Sequence, residues 1–250
     1  MTAVPALPPV PVRVLGGPTA LIEYGGLRLL TDPTFDAPGD YPRGDGRFLT
    51  KTLPGTVDPA ALGPVDAVLL SHDEHPDNLD HGGRALLADV PLTLTTRGGA
   101  ERLGGTARGL APWERVESGP VTITAVPAQH GPDGSEPLVG EVIGFVLTGD
   151  GLPVVYVSGD NASLDVVQRI ADRVGPVDTA VLFAGAARVG ILDNALLTLD
   201  SARAARAARI LGTRRVVPVH YDSWAHFTEG REPLLAAFTA AGLADVLELP

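Results

Sequence analysis

The chain has 250 residues, 44% of them apolar, which supplies a full core and excludes global disorder. A formal net charge of −11 excludes a nucleic-acid backbone as the natural partner, because binding phosphates needs a basic stripe. There is no cysteine, so disulfides and thiolate metal sites are excluded, and any transition metal here must take imidazole and carboxylate ligands.

In chain order, Met1 to Pro11 lack the basic and apolar regions of a signal peptide. No segment approaches the roughly 20 apolar residues of a membrane-spanning helix. A cytoplasmic protein without a membrane partner is expected. Val12 to Leu15, Thr19 to Tyr24 and Leu27 to Thr31 read as an antiparallel meander turned by Gly16-Gly17-Pro18 and Gly25-Gly26. Residues 34–63 are rich in Pro, Gly and Asp and read as a lid or pocket loop. The run from Val65 to Leu70 reads as a buried strand, Gly82 to Asp89 as a short helix, Leu92 to Thr96 as a strand and Gly98 to Leu103 as another helical piece. Strands are expected at Pro120 to Pro127 and Val142 to Thr148. From there the pattern alternates: strand Val154 to Ser158, helix Ala162 to Val174, strand Asp178 to Ala184, helix Asp200 to Leu211, strand Arg215 to His220, helix Glu232 to Ala241 and a last strand, Asp245 to Leu249. No composition shift marks a linker, so residues 1–250 are expected to form one domain of two packed sheets with helices outside.

Four of these apolar runs deliver His or Asp at their C-terminal ends. Leu70 runs into Ser71-His72-Asp73-Glu74-His75-Pro76-Asp77-Asn78-Leu79-Asp80, and later runs end at His130, Asp160 and His220. Ligands of open sheets collect outside the carboxyl ends of the strands, where loops converge without disturbing the core. Zinc accepts neutral imidazole and carboxylate, and a catalytic site keeps a position open for water. His72, His75, Asp77, His130, Asp160 and His220 are therefore the candidate metal ligands, with manganese or iron as alternatives where carboxylates dominate. His81 reads as a surface residue or one supporting the ligands, and His226 as either a pocket residue or a loop residue. Asp32 reads as a structural carboxylate.

The run from Leu70 through Asp80, with His130, Ser158-Gly159-Asp160 and Val219-His220-Tyr221, resembles the metallo-β-lactamase superfamily, in its branch of small bacterial hydrolases similar to ascorbate-phosphate lactonases. The likeness runs from Val12 to about His226 and includes Leu30-Thr31-Asp32-Pro33. It implies an α+β fold, a four-layer αββα sandwich, with Asp160 bridging two metals, His130 on the first and His220 on the second. The first motif of that family is H-x-H-x-D-H. With one inserted residue His72 and His75 take the histidine positions and Asp77 the aspartate, while Asn78 stands at the terminal histidine, where Asp80 could substitute.

These readings converge on a metal-dependent hydrolase of a small-molecule ester, lactone or phosphoester, using one or two zinc ions to activate water. Asp77 would orient or deprotonate that water, and His220 would bind a second metal or protonate the leaving group. Two alternatives come from other classes. One is an iron-dependent redox protein, since His72-Asp73-Glu74 matches the H-x-E fragment of flavodiiron proteins on the same fold. The other is a non-catalytic metal- or metabolite-binding member, suggested by Asn78. Substrate identity and oligomeric state are not encoded in any motif.

Overall fold

The glycine turns of the N-terminal meander close as their composition requires. β1 (Val12–Gly16), β2 (Thr19–Tyr24) and β3 (Leu27–Thr31) pair antiparallel in succession. The computed structural model describes residues 8–43 and 46–250. The first seven residues, read above for a targeting signal, lie outside that range. After β3 comes a separate two-stranded hairpin, β4 (Gly39–Pro42) and β5 (Phe48–Lys51). The stretch expected to be a loop thus carries regular structure of its own. β6 (Ala67–Leu69), β7 (Thr93–Thr95) and β8 (Ala107–Gly109) then extend the first sheet by parallel pairing, in the order β1-β2-β3-β6-β7-β8. Between them lie α1 (His81–Leu86) and α2 (Arg97–Leu103), capped by the Asp80 and Thr96 side chains.

The second sheet is built from β9 (Arg115–Ser118), β10 (Val121–Pro127), β11 (Ile143–Thr148), β12 (Val155–Val157), β13 (Thr179–Phe183) and β14 (Arg215–Val219). Its order is β14-β13-β12-β11-β10-β9. β9 to β12 are antiparallel neighbours, whereas β12, β13 and β14 run parallel. A short α3 (Glu136–Val139) follows β10. α4 (Leu164–Val174), α5 (Ser201–Leu211) and α6 (Arg231–Ala240) occupy the later crossovers and the C-terminal return.

Strand alternation sorts the side chains into layers. Ile22, Leu29 and Leu69 of the first sheet meet Ile123, Phe145, Val157, Val181 and Phe183 of the second in a shared core. The residues between them point the other way. Leu21, Leu30 and Val68 pack under Leu79 and Leu87, while Tyr156, Ala180 and Leu182 pack against Val167 and Ile170 of α4 and Ala204 and Leu211 of α5. Helix, sheet, sheet and helix therefore stack in the expected αββα order.

One expected element is absent. Residues 245–249 do not form a strand: Ala244–Val246 is a 3-10 turn, and only Leu247 bridges β14, beside Val216. The 3-10 turn takes up the start of this run, which leaves only Leu247 and Glu248 beside β14, where Glu248 N–H donates to the Val216 carbonyl.

Two features of this topology place the site. Because β10/β11 and β11/β12 are both antiparallel, β10 points the same way as β12, and so as β13 and β14, which follow β12 in parallel. The chain therefore leaves β10, β12 and β14 at one edge. The carboxyl ends of β3 and β6, which are parallel to each other, face them there, with the Ser71 carbonyl accepting from Ile143 of the opposite sheet. The approach is close: a Cβ on Gly159 would lie 2.6 Å from the Ile143 carbonyl and 2.9 Å from Ser71 Cβ, and its φ is +57°. Only glycine fits there.

Candidate metal centre

The loop after β6 carries His72, His75, Asp77 and Asn78, all buried. His72 Nε2 lies 2.9 Å from His75 Nδ1. His130, delivered by β10, closes the group, with its ring centroid 5.3 Å from each of the other two. One ligand atom from each of these three lies within 4.8 Å of the others, and the same holds for a second group, Asp77, Asp160 and His220. The groups adjoin: His130 Nδ1 is 3.6 Å from Asp160 Oδ2, and His220 Nε2 is 3.5 Å from Asp160 Oδ1 and 3.3 Å from Asp77 Oδ2. The six residues named from the sequence are thus gathered in two adjoining clusters, with Asp160 between His130 and His220.

Hydrogen bonds orient several of these side chains. His130 Nδ1 donates to the Leu197 carbonyl at 3.0 Å, which leaves Nε2 as a bare acceptor. His72 Nδ1 meets Ser71 Oγ at 3.0 Å, and Ser71 Oγ donates to Asp32 Oδ2 at 2.6 Å. This Asp32–Ser71–His72 relay directs the His72 Nε2 lone pair towards His75 and His130, as carboxylate-backed histidines do at metal sites. His220 is held in a left-handed backbone conformation (φ 56°), with its N–H donating to the Gly17 carbonyl and its ring stacked 5.2 Å from Phe183.

Several buried polar atoms here have no hydrogen-bond partner among the described residues: His130 Nε2, both nitrogens of His220, Asp77 Oδ1 and Asp160 Oδ2. Buried orphans of this kind are costly unless something absent from the protein satisfies them. Each of these residues offers an electron pair, one nitrogen of His220 included, and they come from both clusters, so the residues fit a divalent cation. The ionisation states agree. Burial pushes His75 down to about 3 and His130 down to about 4, keeping both imidazoles neutral and able to ligate. Burial, reinforced by the neighbouring Asp77 and Asp32 charges, lifts Asp160 well above the usual carboxylate range. For Asp77, burial acts upward, but His226 and His220 outweigh it and hold the group well below that range.

Asn78 does not ligate through its nitrogen. Its amide donates to Asp32 Oδ2 at 3.0 Å and to Asp160 Oδ1 at 3.2 Å. Asp80 does not take its place either, because it caps α1 and pairs with buried Lys51 at 3.0 Å. Glu74, the residue that suggested a redox protein, joins neither cluster. Its carboxylate reaches Arg102 at 3.1 Å. His81 is exposed and pairs with Asp36.

Two neighbours of the site had little or no signal in the sequence. His226 Nε2 lies 2.9 Å from Asp77 Oδ2, so this histidine does face the cavity. Arg43, at the end of β4, reaches His75 Nε2 at 3.1 Å. A lone arginine in a polar loop has no periodicity or motif to mark it.

An αββα sandwich with histidines and aspartates gathered at one edge defines the class: a metal-dependent hydrolase. A family model described as the beta-lactamase superfamily domain matches residues 27–221. A metal-dependent hydrolase of Thermococcus onnurineus is 31% identical over 229 residues, covering 86% of this chain and 86% of the relative. One from Methanosphaerula palustris is 29% identical over 192 residues, covering 74% and 81%. The chain belongs to the beta-lactamase superfamily. Among solved structures, the isothiocyanate hydrolase from Delia radicum gut bacteria shares the fold with a TM-score of 0.81 at 23% identity, covering 96% of this chain and 95% of that one. So does CmlA, a diiron beta-hydroxylase from Streptomyces venezuelae, with a TM-score of 0.69 at 16% identity over 99% of this chain and 54% of the other. No helix of the described residues is long and apolar enough to cross a membrane.

Proposed function

We propose that the protein hydrolyses a small-molecule ester, lactone or phosphoester with a metal-activated water, residues 1–250 acting as one catalytic domain. The observation that carries this is the pair of adjoining clusters with unsatisfied buried donors, His72/His75/His130 and Asp77/Asp160/His220. Three neutral imidazoles suit zinc, and the carboxylate-rich second cluster also suits manganese or iron. A cation bound there lowers the pKa of its water to about 7 and polarises the oxygen of the group under attack.

The side chains supply the rest. Asp77, held ionised by His226 and His220, is placed to orient the water and accept its proton. His220 is fully buried and stacked on Phe183, which suits a ligand better than a proton donor. His226 lines the cavity and is bonded to Asp77, so it is the group placed to pass that proton to the departing oxygen. In the balance, the water oxygen bonds to carbon or phosphorus, the bond to the leaving oxygen breaks, and one water proton ends on the leaving group. Residues 34–63 wall the pocket through Arg43 and Leu49. The expected setting is the cytoplasm, with the small-molecule substrate as the partner and no role for nucleic acid or membrane.

The test is elemental analysis of purified protein, with turnover of nitrophenyl esters, lactones and nitrophenyl phosphate before and after chelation. Bound zinc, loss of turnover on chelation and loss in His75→Ala support the reading. Stoichiometric metal with no turnover across the panel, or an unaffected rate in His75→Ala, overturns it.

A further inference from the structure

Among the described residues lining the cavity beside the two clusters, Arg43 is the one lysine or arginine. Its Nη2 lies 3.1 Å from His75 Nε2, the ring nitrogen opposite the one that faces His72. Its side chain is half-buried, and among the described residues no carboxylate pairs with it. Two other arginines on the loops around the first cluster do have carboxylates: Arg102 reaches Asp73 and Glu74, and Arg84 approaches Asp73.

A guanidinium with no carboxylate partner among the described residues, set beside a cation site, is an electrostatic conflict. Its field would oppose a cation held by the two clusters. One occupant relieves the conflict: an anion in the cavity that accepts from Arg43 on one side and faces the metal cluster on the other. Guanidinium geometry matches a carboxylate or phosphate in particular, since both accept parallel hydrogen bonds. The remaining cavity wall is small and apolar, formed by Leu49, Ala187, Val189 and Leu197.

We infer that Arg43 is a specificity residue that selects an anionic substrate, one carrying a carboxylate or phosphate besides the bond to be cleaved. This rests on the hydrolase reading above and narrows it. Neutral esters of equal length bind the same apolar wall but leave the guanidinium unpaired.

Two measurements on the zinc-loaded protein test it. The first compares kcat/KM for 4-nitrophenyl hydrogen glutarate and 4-nitrophenyl valerate, which differ at the chain end in charge. The native protein is expected to favour the anionic ester by about tenfold or more, the worth of a charge-assisted hydrogen bond. Arg43→Gln should bring that ratio down towards one, through KM, and Arg43→Lys should restore part of it. The second needs no turnover: zinc affinity by chelator competition, with and without glutarate or inorganic phosphate. An anion bridging Arg43 and the metal tightens zinc binding in the native protein by several-fold more than in Arg43→Gln, because coupling between two ligands is reciprocal. Whichever of glutarate and phosphate couples more strongly identifies the anion.

The outcomes separate the two claims. Turnover of both esters with a ratio indifferent to Arg43 overturns the inference and leaves the hydrolase reading standing. Anion–zinc coupling that needs Arg43, without turnover of these esters, of lactones or of nitrophenyl phosphate, supports the anion site and removes the hydrolase. Equal coupling in native protein and Arg43→Gln overturns the inference whatever the turnover.

Discussion

Asn78 joins two carboxylates from different sheets: its amide nitrogen donates to Asp32, which follows β3, and to Asp160, which follows β12. The position that family likeness assigns to a histidine ligand is therefore a bracket between ligand and support. A donor with two hydrogens can satisfy two buried acceptors at once, which neither an imidazole nor a carboxylate does in that place.

Removing the bracket should leave Asp160 without this donor and Asp32 held by Ser71 alone. Asn78→Ala is expected to destabilise the metal-free protein by about 2–3 kcal/mol, the scale for hydrogen bonds to charged groups. Urea unfolding checks this, and an unchanged midpoint would show that the two carboxylates do not depend on the amide.

Ser71→Ala removes the hydroxyl between His72 and Asp32 while sparing every candidate ligand. Loss of such supporting contacts typically weakens metal binding 10–100-fold. Chelator competition should show zinc affinity reduced by about that factor. Affinity equal to the native protein's would mean that the relay does not set the His72 ring.

Lys51, the chain's only lysine, and Asp80 form a fully buried pair tying β5 to the N-terminus of α1. Lys51→Met leaves Asp80 charged and without its cation. A cost of about 3–5 kcal/mol is expected from breaking a buried pair on one side. Thermal and urea melts would read it, and limited proteolysis should then cut first near the β4–β5 hairpin.

The cluster histidines make the metal-free protein acid-sensitive. Burial lowers His75 to about 3 and His130 to about 4, and depresses His72 and His220 as well. Unfolded histidines titrate near 6.5, so below about pH 6.5 the unfolded state takes up protons that the folded state refuses. Stability is therefore full above that pH and lost as pH falls towards about 4. Two carboxylates work the other way: burial raises Asp32 to about 7 and Asp160 well above normal, so the folded state holds protons there. Four histidines against two carboxylates leave a net loss on acidification. Urea midpoints that stay level between neutral and mildly acidic pH would contradict this balance.

Much of the site was legible in the linear chain, because strand ends are marked locally. Apolar runs stopping at His72, His130, Asp160 and His220 encode both the strand and its terminal ligand; the order of strands and helices pointed to two packed sheets with helices outside, and the αββα layering itself came from the family likeness. The missed elements are instructive for the same reason. Residues 34–63 look irregular because the β4–β5 hairpin is stabilised from outside, by Lys51 on Asp80 and by its bridge to Trp224. Residues 245–249 look like a strand because five residues of suitable composition cannot report the 3-10 turn that takes up their start.

Residue type and order were enough to say that imidazoles and carboxylates would meet at one sheet edge, since backbone periodicity is a local property. What Asn78, Asp80, Arg43 and His226 do was settled only by folding. Each acts through a partner between 29 and 149 positions away, and a polar side chain in a loop has no local preference that names such a partner. Packing the two sheets brings those loops within hydrogen-bond reach, and that proximity assigns their roles.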